Sequence, residues 1–285
     1  MSGLANWVMK KRSNAIIAVA LCSIIPVMFW LGAAVLGLVV LRKGVKDGIP
    51  VFAWGGLPAL VLWAIQGDAT ALIVLIDTFI LAYVLREKIS WAWVMLGASV
   101  LAVMSSLIQP LIMANLLDMV AELIQQVLQN EGETDIPAKE VIVEQAVIAL
   151  SVVQAYVAVG ALFLARKWQA SLYNPGGLKQ EFHQFRLPLV FALILAAMVL
   201  VGESLGGAFE VLSRAAVPAL VIPGLALVHG VLALKKIGMV GLVLFYGVGF
   251  LLLSAYFANI LIFLAVVDSI VNIRGRLQTK PTDIN

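Results

Sequence analysis

Long apolar runs, each closed by a short cluster of charge, divide the chain. The first covers residues 14–41, between Lys10, Lys11, Arg12 and Arg42, Lys43, Lys46. As one helix it would reach about 42 Å, well beyond the roughly 30 Å hydrocarbon core of a bilayer. Pro26 sits near its middle, where proline breaks a helix. The pattern predicts a short helical hairpin, 14–25 and 27–41, that crosses twice or re-enters on one side. Three membrane helices follow over 50–109. The first, 50–66, ends at Gln66-Gly67-Asp68; the second, 70–85, ends at Arg86-Glu87-Lys88; the third, 90–109, ends at Pro110. Residues 110–143 are polar and acidic. The run 144–165 returns to Arg166-Lys167, and a segment rich in aromatic and basic residues, 166–187, reads as a loop. Four more helices are expected over 188–272: 188–202, 215–234, and two sharing 237–272 with a turn near 254–259. A tail, 273–285, closes the chain.

The expected fold is all-α: a polytopic transmembrane bundle of about eight to ten membrane helices in a single integral membrane domain, 1–285. Composition agrees. Of 285 residues, 62% are hydrophobic and 12% charged, with a mean hydropathy of +1.05. That excludes a soluble globular enzyme, a disordered chain and a nucleic-acid-binding domain. The net charge of +3 does not point to nucleic acid either, because the cations sit in short clusters between apolar runs. In the topology above, all Lys and Arg except Lys139 and Arg214 fall on one side. This is the positive-inside pattern of a multi-pass protein of the bacterial inner (cytoplasmic) membrane, with both termini cytoplasmic. The apolar run after Arg12 is too long for a signal-peptide core and reads as retained. Cys22 is the single cysteine, and His183 and His229 are the two histidines. No metal-ligand spacing and no cofactor motif is evident.

Within the external segment, 111–129 is amphipathic. Ile112, Leu116, Met119, Val120, Leu123 and Val127 recur at helical spacing, with Asn115, Asp118, Glu122, Gln125 and Gln129 opposite. A charged turn, 130–137, and a second short amphipathic stretch follow. The plain reading is a helical hairpin on the membrane surface or on the bundle. The functional one is a lid over an external pocket, or a dimer contact.

Asp77 is the sharpest single residue. It falls near the centre of 70–85, where an ionised Asp costs about 2.5–3.5 kcal/mol on insertion scales. It reads either as a substrate, ion or proton contact, or as a structural carboxyl bonded to a neighbouring helix. No Lys or Arg lies at its depth, so Gln154 and Tyr156 are the candidate partners and, with Asp77, the candidate substrate-binding residues. Glu203 and Glu210, flanking Gly202, Gly206 and Gly207, form an outer rim: a solvated loop, or a cation-attracting mouth. Pro218 and Pro223 lie inside 215–234, where proline kinks or breaks a membrane helix.

The segment 166–187 alternates Trp168, Tyr173, Phe182 and Phe185 with Arg166, Lys167, Lys179 and Arg186, the composition of chain at headgroup level. Asn174-Pro175-Gly176-Gly177 is a turn sequence and lacks the spacing and lysine of a P-loop. His183 follows it. The whole stretch, ARKWQASLYNPGGLKQEFHQFRLP from Ala165, resembles the marker of YybS-like bacterial membrane proteins. The ending LAVVDSIVNIRGRL, with Asp268 six residues before Arg274, is similar to that family's C-terminal helix. The resemblance implies a fold similar to the membrane-embedded S components of energy-coupling-factor vitamin transporters, and with it a small-molecule binding role. This chain has about ten apolar segments where those subunits commonly have six. Asp268 and Arg274 also have a local reading, in which the carboxylate pairs with loop cations and anchors the C-terminus.

Two functions compete. One is a transporter-like, small-solute-binding membrane protein without catalytic activity, with Asp77 and Gln154 lining the cavity. The other is an assembly or interaction factor that docks a cytoplasmic or membrane-protein partner through 166–187, with a homodimer as a further candidate assembly. No HExxH, close aspartate pair or serine dyad suggests an enzyme.

Overall fold

The computed structural model describes residues 2–25, 27–133, 135–252, 254 and 256–278. Pro26, Thr134, Ala255 and Lys280, each part of a reading above, lie outside them. Every regular element among the described residues is a helix. They form two compact units, Met1–Pro175 and Gly176–Asn285.

The first unit holds α1 (Ser2–Lys10), α2 (Arg12–Ile24), α3 (Phe29–Lys43), α4 (Val45–Gly55), α5 (Leu57–Gln66), α6 (Thr70–Lys88), α7 (Trp91–Ile112), α8 (Ala114–Asn130) and α9 (Lys139–Tyr173). Its centre is α3, which packs against α2, α4, α6 and α9. Every residue from Gly32 to Leu41 is buried. A helix apolar all the way round is stable only when enclosed, and here the enclosing surface is the chain itself. Small residues let the helices close in. A Cβ on Gly37 would lie 3.2 Å from both the Ala165 Cβ on α9 and the Thr78 Cγ2 on α6.

The second unit holds α10 (Gly177–Gln184), α11 (Leu189–Leu205), α12 (Gly207–Leu234), α13 (Met239–Leu252), α14 (Phe257–Val271) and α15 (Ile273–Gln278). Here α12 is central, against α11 and α14. Gly202 lies so close to α12 that a Cβ would come 2.7 Å from that of Ser213. Pro218 and Pro223 lie inside α12, and the helix continues through both.

Two segments differ from the sequence reading. The run 50–66 is not one helix: α4 and α5 meet at Gly56 with a bend of 40°. Pro58 occupies the first turn of α5, where its missing N–H costs nothing, but its ring crowds the carbonyl four residues back and ends the preceding helix. The segment 166–187 is not a loop. Its first part completes the 35-residue α9, and α10 occupies most of the remainder.

By length and composition, α7, α9 and α12 can cross a membrane. Two bent pairs, α4 with α5 (40°) and α10 with α11 (68°), raise the number to five. The shorter apolar helices α2, α13 and α14 reach only about 20 Å each.

Candidate functional site

Asp77 stands mid-way along α6. That helix starts after Asp68, whose Oδ1 accepts the Thr70 N–H at 2.9 Å. Asp77 is 3% exposed, and its Oδ2 has no hydrogen-bond partner among the described residues. It borders a cavity of about 290 Å³ between α5, α6 and α7. The walls are Trp63, Ile76, Ile80, Met104 and Ile108, and Ser105 adds a second polar side chain. Trp63 Nε1 donates to the Ile112 carbonyl at 2.9 Å, tying α5 to the end of α7. Among the described residues, no lysine, arginine or histidine lines the cavity. A buried carboxylate there is left wanting a cation or a hydrogen-bond donor.

Gln154 and Tyr156 are bonded elsewhere. Gln154, on α9, accepts from Gln109 Nε2 at 2.8 Å and donates to Thr70 Oγ1 at 3.0 Å. This chain of side chains joins α6, α7 and α9. Tyr156 pairs with the side chain of Ser99. Neither borders the cavity that Asp77 faces. Gln109 is fully buried and was not singled out from sequence, because it stands beside Pro110 at what reads as a segment's edge. Its signal was a glutamine inside the apolar run rather than after it.

The amphipathic segment adjoins this site. Met113, just before α8, and Leu117 of α8 pack with Ala69, Ile73 and Val147 in one apolar cluster, and Ala69 and Ile73 also line the cavity. The buried line of α8 is Leu117 and Ala121, while Met119, Leu123 and Val127 of the expected stripe are exposed. Lys139 bridges Asp118 at 3.3 Å and Glu122 at 2.9 Å. The hydrogen bond to Glu122 holds its ammonium above the ordinary lysine range. Gln125 Nε2 donates to the Pro137 carbonyl at 3.0 Å, folding the turn back on the helix.

The remaining candidates divide between the units. In the first, Trp168 is buried rather than lying at a headgroup surface, and Arg42 stacks over the Tyr173 ring at 4.0 Å. Asn174 and Pro175 are exposed, as is Gly176, the first residue of the second unit. Gly176 takes φ +87, a left-handed turn that favours glycine, and Gly177 begins α10. In the second unit the rim glutamates are not bare. Arg214 lies 3.1 Å from Glu210 and 3.9 Å from Glu203.

The C-terminal pair is deeply built. Arg274 Nη2 meets Asp268 Oδ2 at 2.7 Å, with side chains 8% and 3% exposed. Arg274 also donates to the carbonyls of His183 and Phe185, each at 2.7 Å. Asp268 Oδ1 accepts the Ile273 N–H at 2.9 Å. The loop cation Arg186 does not meet the Asp268 carboxylate. It takes the main-chain carbonyls of Asp268 and Ser269, at 2.8 and 2.7 Å. The sequence expectation that Asp268 pairs with loop cations is thus corrected: Arg274 takes its carboxylate, and Arg186 takes the backbone carbonyls of Asp268 and Ser269. Burial, then the charges of Lys179, His229 and Arg274, push the His183 imidazole below its ordinary range.

Among the described residues, no three His, Cys, Asp or Glu side chains converge to hold a metal ion. No family model, curated protein or solved structure matches the chain.

Proposed function

We propose that this chain is a transporter-like, small-solute-binding protein of the bacterial inner membrane, without catalytic activity of its own. In this reading about eight to ten helices lie in the membrane, some of them short and embedded rather than spanning. Both termini are cytoplasmic in this reading, which the clustering of Lys and Arg supports under the positive-inside rule. The resemblance to YybS-like proteins and to the S components of vitamin transporters points the same way.

One observation carries the reading: the Asp77 carboxylate, buried and with one oxygen unpartnered, at the wall of an otherwise apolar cavity. The solute that suits it has an apolar body and one cationic or hydrogen-bond-donating group, such as an amine. Gln154 then acts from behind, by holding α6 and α9 in register. The α8 segment covers one end of the site.

Native mass spectrometry of protein released from mild detergent, wild type beside Asp77→Asn, tests this. A defined small mass on the wild type, lost in the variant, is expected. Bare protein in both overturns the reading. The second reading, a docking factor, draws on the exposed Tyr173-Asn174-Pro175-Gly176 turn. It requires a protein partner retained equally by both forms and lost when that turn is substituted.

A further inference from the structure

We propose that a second cavity, built entirely within the second unit, is a binding site for a phosphate-bearing anion. It lies among α10, the residues following α10, the end of α12, and α15, and encloses about 440 Å³. That is within the range of small-molecule sites. The proposal does not rest on Asp77 and concerns the opposite chemistry: one site presents a lone acid to an apolar cavity, the other is rich in donors.

The lining decides the ligand's charge. Arg186 and Arg274 both border the cavity, and among the described residues no carboxylate does. Asp268 neutralises only one of the two guanidinium groups. Arg186 spends Nε and Nη2 on main-chain carbonyls, which leaves its Nη1 with no hydrogen-bond partner among the described residues. That clamp also fixes the guanidinium plane, so the free nitrogen is pre-oriented at no further entropic cost. Asn272 accepts the Gly275 N–H through Oδ1, leaving its amide nitrogen as a donor. Gln180 and Gln278 add amides from α10 and α15. Donors arriving from several directions match the multiple acceptor oxygens of a phosphate better than the two of a carboxylate. The surrounding charge agrees, since Lys179 directly precedes Gln180 of the lining, and Lys235 and Lys236 follow directly on Leu234 of the lining. Glycine at 230 keeps α12 clear of the clamp. A Cβ there would come 3.1 Å from Arg274 Cδ and would run into the His183 carbonyl.

Phosphate can come from a lipid headgroup or from a soluble phosphorylated solute, and two arms separate these sources. Full-length protein in dodecyl maltoside, in phosphate-free buffer, is titrated with inorganic phosphate against chloride at equal ionic strength, with the thermal midpoint followed. In parallel, phosphatidylglycerol is added and retained lipid is counted by native mass spectrometry. Saturable stabilisation by phosphate marks a soluble ligand, and retained phosphatidylglycerol marks a headgroup. In either case Arg186→Gln and Ala233→Trp should weaken binding at least tenfold. Ala233 is an exposed lining residue outside the clamp, so Ala233→Trp fills the cavity even if Arg186→Gln fails to fold. Binding of neither probe, or binding unchanged by Ala233→Trp, overturns the proposal.

Discussion

The two units each bury an aspartate, and the two aspartates could hardly be treated more differently. Asp77 and Asp268 are 3% and 2% exposed. Asp268 is satisfied at both oxygens, by the Arg274 guanidinium and the Ile273 N–H. Asp77 has an oxygen without a partner and an apolar cavity in front of it. Burial of a charge-bearing side chain therefore does not by itself mark a binding site. The count of partners does. A satisfied carboxylate holds the fold, and an unsatisfied one is a standing cost that a ligand can relieve.

The strongest way to break this contrast is at the satisfied end. Arg274→Ala removes the partner of Asp268 and frees the carbonyls of His183 and Phe185. A loss of about 3–5 kcal/mol is expected, read as a large fall in the thermal midpoint in detergent or as failure to accumulate. A midpoint near wild type would mean the pair is not structural. Next comes Asp77→Leu, which should do the reverse. Removing an unpartnered polar group from an apolar wall should stabilise the empty protein by about 1–3 kcal/mol, while any small-molecule mass is lost. A clear destabilisation would show that Asp77 has a structural partner after all, and would erase the contrast. The smallest effect belongs to Gln154→Leu, which cuts the chain from Gln109 to Thr70. Hydrogen bonds between membrane helices average about 0.6 kcal/mol, so a midpoint loss well below that of Arg274→Ala is expected, with ligand retention weakened rather than abolished.

Charge clusters made much of the fold legible in advance. Arg86-Glu87-Lys88 sets the end of α6, and the expected hairpin over 14–41 corresponds to α2 and α3. The break at Gly56 was also written in the sequence, in Pro58, but hydropathy alone runs straight across it. The length of α9 was obscured for a different reason. Its first turns carry Glu140 and Glu144 and its last turns Arg166 and Lys167, so polarity suggests three segments. No proline interrupts Lys139–Tyr173, and the backbone continues.

The candidate site was legible in its residues but not in its pairings. Asp77 and Gln154 stood out as polar groups in apolar runs. That Gln154 meets Gln109 and Thr70 rather than Asp77 depends on how three helices are rotated against one another, which no local pattern encodes. The Asp268–Arg274 contact is similar. Residues six apart point about 120° away from each other on a straight helix. They meet because Asn272 takes φ +52, ending α14 and turning the chain back.

The enclosure of α3 also bears on the order of manufacture. Ribosomes release the chain from its N-terminus at about 5–20 residues per second. Residues 29–43 therefore leave the ribosome on the order of ten seconds before the whole of 139–173, one of the walls that enclose them. In that interval α3 is a short apolar segment with its flank open. Cells that make this protein need something to shield it, a lipid boundary or an insertion factor, until translation delivers the last wall.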